Sequence, residues 1–318
     1  MFSQEKLDQY NSYALDKVYF YLESHFWSKP KMKELHYWLA NFKTDEEKYC
    51  ALKLLDRFVY YSEEDIVHLM KYGIDEKILK RHLLRIEQEN NFIVSNKEII
   101  DIKNEFFNNL YFIKLDTGNP SPSSEAMLRH LKIDLGFPES NILDIWNLKS
   151  QVLSNCHNLI ILDDFIGSGT QIRNFWNTGK INLDGEEILL NELKVKFPKL
   201  SIEYFCLVCT QEGYDNFKYD DGIGIRTDLR ITYSEILSNK FKVFSKDSLY
   251  FEKLEMEYCK NLLQDLCLEN DIPLLGYESL DYAIAFHHGI PDCSLPLFYR
   301  AGDKWNYLFR NKNTQPHV

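Results

Sequence analysis

One stretch constrains the fold of this chain more than any other: Leu159-Ile160-Ile161-Leu162-Asp163-Asp164-Phe165-Ile166-Gly167-Ser168-Gly169-Thr170. Four consecutive apolar residues read as a strand buried on both faces, the pattern of a parallel sheet covered by helices. Two acids and a loop of small residues follow, and helical texture resumes at once over 170–176. Strand, small-residue turn and helix in succession belong to the α/β layer architecture, where ligands lie beyond the carboxyl ends of the strands. Gly167, Ser168 and Gly169 allow backbone N–H groups to approach an anion, and the helix start near Thr170 adds partial positive charge. Carboxylates beside such a cradle suit sugar hydroxyls or a bridging Mg²⁺. A ribose 5-phosphate carries both kinds of partner.

The surrounding sequence agrees with that architecture. Short apolar runs at 110–115, 202–208, 230–233 and 282–286 read as further strands, and 123–132, 186–197 and 252–268 as helices. Their alternation predicts a mostly parallel sheet over 106–318. Residues 1–105 read differently, as helical throughout, because apolar residues recur at three and four spacing and Gly73 is the only glycine. Thr44 and Glu47 form a capping box opening a helix with Ala51, Leu52, Leu55, Phe58 and Val59 on one face;. After a helix over 63–70, a turn at Tyr72-Gly73 and Asp75 as N-cap predict a second helix burying Leu79, Leu83 and Ile86;. That pair invites comparison with a helix-turn-helix.

Charge tests this comparison. Lys77, Lys80, Arg81 and Arg85 would line the second helix, and Phe92-Ile93-Val94 would begin a wing. Yet 48 acidic against 37 basic residues give a net charge of -11, which opposes a nucleic-acid platform;. A solvated or protein-docking face is the expectation, with nucleic acid a minor alternative. No apolar run reaches the roughly 18 residues of a membrane span, and MFSQEKLDQYNSYALDK lacks the apolar centre of a signal peptide;. A cytoplasmic protein without membrane contact is expected, and its seven cysteines are expected as thiols;. Cys206 and Cys209 have C-x-x-C spacing, but on a strand residues three apart face opposite sides, so core thiols are expected rather than zinc ligands. The pair His287-His288 reads likewise as two separately packed histidines.

The acidic segment resembles three known motifs. As the acidic strand of a P-loop NTPase it would need an upstream G-x-x-x-x-G-K-[ST], which the chain lacks;. It is similar to the Asp-Pro-Phe-x-Gly-Ser-Gly motif of amino-methyltransferases that bind S-adenosylmethionine. Asp164 replaces the proline, however, and the partner motif is reduced to Asn119-Pro120-Ser121-Pro122. Best matched is the phosphoribosyl pyrophosphate (PRPP) loop of type I phosphoribosyltransferases. Together with ALKLLDRFVYYS at 51–62 and LLGYESLDYAIAFHHGIPDCSLPLFYR at 274–300, the chain resembles phosphoribosyltransferase-like effectors of prokaryotic anti-phage conflict systems.

That resemblance implies a type I phosphoribosyltransferase sheet behind an α-helical N-terminal region. It assigns Asp163 and Asp164 to the ribose and, directly or not, to Mg²⁺, and Gly167, Ser168, Gly169 and Thr170 to the 5-phosphate. A pyrophosphate loop would fall at 114–124, offering Lys114, Ser123 and Ser124, although Ser123 reads equally as a helix N-cap. Residues 214–228 would form a lid or a surface loop. Two functions lead, an effector enzyme transferring the phosphoribosyl group or a ribose-phosphate or nucleotide-binding sensor, and an S-adenosylmethionine-dependent amino-methyltransferase is a distant third. Either would work with a protein partner from a defence operon or with a second copy of the chain.

Overall fold

Ser3 starts the first helix, its hydroxyl accepting the Lys6 N–H at 3.3 Å ahead of α1 (Gln4–Glu23). The computed structural model describes residues 3–114, 122–218, 229–302 and 304–310, with the side chains of 122–124 outside it. After α2 (Met32–Leu39), the Thr44–Glu47 capping box opens α3 (Asp45–Asp56), each backbone N–H reaching the other side chain at 3.1 Å. The helix ends sooner than its apolar pattern suggests. Phe58 lies past its end and Val59 begins β1 (Val59–Tyr61), so residues 1–105 are not helical throughout.

Next comes α4 (Glu63–Tyr72), which leads through a π-helical turn, Gly73–Leu79, directly into α5 (Lys80–Glu89). The expected turn at Tyr72-Gly73 and the Asp75 cap are therefore replaced by continuous helix. Packing explains the glycine: a Cβ at position 73 would sit 2.1 Å from the Phe205 ring. Leu79 is buried as expected, Leu83 and Ile86 only half-buried. Phe92 and Ile93 stand exposed in a turn, not a wing strand, before α6 (Asn96–Asn108).

The chain then alternates strand and helix: β2 (Leu110–Lys114), α7 (Pro122–Ile133), α8 (Ser150–Asn155), β3 (Asn158–Ile166) and α9 (Thr170–Thr178). There follow β4 (Lys180–Leu183), β5 (Glu186–Leu189), α10 (Glu192–Lys196), β6 (Ser201–Thr210), α11 (Gln211–Lys218), β7 (Arg230–Leu237), α12 (Lys253–Glu269) and β8 (Ile284–Phe286). The main sheet has the order β2-β3-β6-β7, with β3 parallel to both β2 and β6. The expected mixed α/β fold with a mostly parallel sheet is thus present. Two local readings change. Residues 186–197 are not one helix: β4 and β5 form an antiparallel hairpin around Asp184 and Gly185, both at positive φ, and only α10 is helical. The run at 282–286 contributes β8, which pairs in parallel with β1 outside the main sheet.

Two compact units result, Met1–Asp65 with Leu237–Val318, and Ile66–Ile236, each with its own apolar core. The division differs from the break expected at 105/106. Its cause is the β1–β8 ladder together with a disulfide between Cys50 on α3 and Cys259 on α12, whose Cα atoms are 5.5 Å apart. That bond also corrects the expectation of seven thiols. Sequence gives no hint of a pair separated by 209 residues. Cys156, Cys206, Cys209, Cys267 and Cys293 are free and buried.

The basic residues of α5 are largely neutralised within the second unit. Arg81 sends a fork to the buried Glu203 carboxylate at 2.5 and 2.6 Å, and Thr232 Oγ1 donates to the same carboxylate. Lys80 pairs with Glu76 at 3.2 Å and Arg85 with Glu89 at 3.9 Å. Among the described residues no helix is long and apolar enough to cross a membrane.

Candidate functional site

Because β2, β3 and β6 are parallel, their carboxyl ends open at one edge of the sheet. Lys114, the last residue of β2, lies opposite Leu162, which lies opposite Phe205 on β6. β3 runs on past β2. Asp163 and Asp164 therefore sit within the strand, not after it, and pairing continues to Ile166 opposite Cys209. Asp163 pairs opposite Cys206, and the ladder skips Asp164 before resuming at Phe165 opposite Val208. Asp163 lies on the face of Tyr204, and the Asp164 carboxylate is close enough for its charge to act on Asp163.

Asp163 is the more enclosed in its bonding. Tyr204 donates its hydroxyl to Oδ2, and the Asp164 N–H donates to Oδ1 at 3.0 Å. The residue keeps partial solvent contact, yet burial first and the Asp164 charge second hold its carboxyl well above the usual carboxylate range;. Burial likewise drives the Tyr204 phenol well up, so it remains a protonated donor.

The loop after β3 is fixed from its carbonyl side. Thr210, fully buried at the end of β6, donates its hydroxyl to Gly167 O at 2.5 Å and accepts the Gly213 N–H at 2.8 Å. Asn216 on α11 donates its amide to Ser168 O at 3.2 Å. In a planar trans peptide the C=O and the following N–H point in opposite directions. Tying back the carbonyls of Gly167 and Ser168 therefore turns the N–H groups of Ser168 and Gly169 away from β6 and α11. Beside them begins α9, whose Gly169 cap supplies no side chain, leaving first-turn amides for a ligand;. The Thr170 N–H is already engaged by Ser168 Oγ at 3.4 Å. Two glycines make the arrangement possible. Gly169 has φ +81°, and a Cβ there would lie 2.6 Å from Gly213 O; a Cβ on Gly213 would lie 2.2 Å from Gly167 O.

The fold thus brings together Asp163, Asp164, Gly167, Ser168, Gly169 and Thr170. Lys114 stands at the neighbouring strand end, its ammonium 2.6 Å from Glu125 on α7. Ser123 and Ser124 fall in the first turn of α7, which already starts at Pro122, so Ser123 is not the N-cap. Their side chains, and residues 115–121 of the expected pyrophosphate loop, lie outside the described residues. Of 214–228, residues 214–218 belong to α11 and 219–228 lie outside the described residues. Sequence reasoning missed Tyr204, Thr210, Gly213 and Asn216. A partial signal existed for two of them: a threonine closes a second buried run, and Gly213 follows three residues later in the helix that starts at once.

Cys206 and Cys209 are both free and buried in one core, the Cys206 thiol directed at Thr232 O at 3.9 Å and the Cys209 thiol at Thr210 O at 3.3 Å. Among the described residues no three His, Cys, Asp or Glu gather into a metal cage. Two adjacent carboxylates at an anion cradle instead suit Mg²⁺, which keeps several waters and takes its remaining oxygens from a substrate phosphate.

A mostly parallel α/β sheet of this kind fits a phosphoribosyltransferase-like protein. The chain belongs to the PRTase-CE family, which it matches over residues 35–311. No curated protein matches it.

Proposed function

We propose that the sheet edge binds PRPP, or a related ribose 5-phosphate, together with Mg²⁺. In this reading the protein transfers the phosphoribosyl group as an effector of a prokaryotic anti-phage system. The observation that carries the proposal is the tethering of the Gly167 and Ser168 carbonyls by Thr210 and Asn216, which leaves amides for a phosphate;. Asp163 and Asp164 hold the ribose hydroxyls. Lys114, Ser123 and Ser124 are the proposed pyrophosphate contacts. Mg²⁺ would be held by the ligand's oxygens and one of the two acids, and when bound it supplies charge neutralisation at the leaving pyrophosphate.

In the transfer, the bond from the anomeric carbon to pyrophosphate breaks as an acceptor's nucleophile bonds to that carbon. The chain contributes placement: the loop fixes the 5-phosphate end and the carboxylates fix the ring, so the reacting carbon is presented in one orientation. The Lys114–Glu125 ion pair favours a second reading, a ribose-phosphate sensor without turnover, because this lysine is already engaged.

Calorimetry with PRPP, with and without Mg²⁺, tests binding, with S-adenosylmethionine as the competing ligand. Binding of PRPP that is lost in a folded Asp163→Asn/Asp164→Asn protein is expected. Undiminished affinity in that variant, or binding of S-adenosylmethionine alone, overturns the assignment. Pyrophosphate release with nucleobases, nucleotides or nucleic acid as acceptors, with and without the products of neighbouring genes, separates enzyme from sensor.

A further inference from the structure

The unit formed by Met1–Asp65 and Leu237–Val318 carries a cluster that the phosphoribosyl reading does not use. Ser28 is exposed, and its Oγ lies 2.7 Å from His287 Nδ1 and 2.7 Å from the Tyr60 hydroxyl. On the other side of the imidazole, Nε2 is 3.8 Å from Glu63 Oε2. The placement follows from the fold. His287 directly follows β8, and its backbone N–H extends the β1–β8 ladder by donating to Tyr61 O at 2.8 Å. Glu63 lies two residues beyond Tyr61, and Tyr60 is on β1 itself. Ser28 is set by its neighbour Trp27, buried with ring centroids 5.5 Å from Phe58 and 5.9 Å from Tyr60.

Donor counting orders the chain of hydrogen bonds. A carboxylate facing Nε2 favours the tautomer with its proton there, which leaves Nδ1 as acceptor. Ser28 must then donate to Nδ1, and Tyr60 must donate to Ser28. Burial holds the Tyr60 phenol above its ordinary value, so it remains a donor. One Ser28 lone pair accepts from Tyr60 and the other is open to solvent. A serine hydroxyl directed at a base, with the base facing a carboxylate, is the arrangement of an activated nucleophile.

We propose that Ser28, His287 and Glu63 form a second reactive site, one that cleaves carboxylic esters through an acyl-serine. Ser28 Oγ bonds to the acyl carbon as the ester C–O bond breaks. The Ser28 proton passes to His287 Nδ1 and from there to the leaving alcohol. Water then attacks the acyl-serine, His287 takes its proton and returns it to Ser28, and a carboxylic acid departs. Glu63 faces the imidazolium formed in each half, and Tyr60 holds the Ser28 oxygen in position.

The test uses the full chain and a fluorophosphonate probe, with the modified residue located by peptide mass mapping. Stoichiometric labelling of Ser28 is expected, together with a burst of 4-nitrophenol from 4-nitrophenyl acetate that Ser28→Ala abolishes. His287→Ala should slow labelling by at least about 100-fold, the scale of general-base assistance. Should that variant fail to fold, His287→Gln is read in its place. Glu63→Gln, at a more exposed position, should slow it by roughly tenfold. An unlabelled Ser28 in folded protein, a missing burst, or unchanged rates in folded His287 or Glu63 variants overturns the proposal.

Discussion

Replacing Thr210 by Val tests the basis of the proposed phosphate cradle with little change of shape. The exchange removes one hydroxyl and strands two backbone groups: the Gly213 N–H, which is buried, and the Gly167 carbonyl, which is half-exposed. Leaving a buried group unpaired costs about 1–3 kcal/mol, while a carbonyl that can recruit water loses only the net value of its bond, about 1 kcal/mol. Thr210→Val should therefore destabilise the protein by roughly 2–4 kcal/mol, read as a lower denaturation midpoint at unchanged slope. Thr210→Ser keeps the hydroxyl and loses a buried methyl, at a cost of about 1 kcal/mol. The loop should respond as well as the stability. With the Gly167 peptide free to rotate, the Ser168 N–H no longer has a fixed direction, and affinity for inorganic phosphate or PRPP should fall at least tenfold in Thr210→Val but little in Thr210→Ser. If Val and Ser variants are equally stable and bind equally, Thr210 does not hold the loop and the argument for oriented amides fails.

Three further outcomes are expected. Asp163, whose carboxyl is raised in the folded state, contributes stability that is full below the ordinary value of 3.8 and is lost as pH rises through its raised value;. The stability of wild type minus that of Asp163→Asn should thus decline as pH increases above 3.8, and a flat difference would contradict the assignment. Arg81→Met strands the Glu203 carboxylate beneath α5 and should cost about 3–5 kcal/mol in denaturant titrations, whereas Arg81→Met with Glu203→Leu should recover most of it. Protein denatured without reductant should titrate five thiols, Cys50 and Cys259 appearing only after reduction.

What could be read in advance was whatever the local sequence dictates. Residues 159–170 announced strand, acids, loop and helix because burial on both faces leaves few alternatives, and the Thr44–Glu47 cap depends only on neighbours. Features set by distant partners were hidden. Gly73 looked like a turn because its meaning lies in the Phe205 ring, more than a hundred residues on. β1 is three residues long and has meaning only beside β8. The β4–β5 hairpin is a different case: Asp184-Gly185 is a strong two-residue turn signal that the helical texture of 186–197 outweighed;. At the site, Asp163 and Asp164 were legible as a pair of acids but not as residues inside the strand, since that depends on β3 continuing to Ile166. Thr210 was only faintly marked, as the residue closing a buried run, and Asn216 not at all, because their role is to bind carbonyls of another segment.

The pairing of β1 with β8 also imposes a timetable on biosynthesis. Val59 has left the ribosome long before Ile284, its ladder partner, is translated. At roughly 5–20 residues per second the interval is on the order of ten to forty seconds. Within it, Ile66–Ile236 emerges with all four strands of the main sheet, whereas α2 and α3 wait with Trp38 and Phe58 lacking their partner Phe298. Nascent chains stalled in that window are the ones a holdase chaperone would recognise. Ribosomes that terminate early near residue 236 would release a finished four-stranded sheet carrying an unfinished helical arm. Ser28 and His287 meet only after residue 287 has been made, so one part of the molecule matures well before the other.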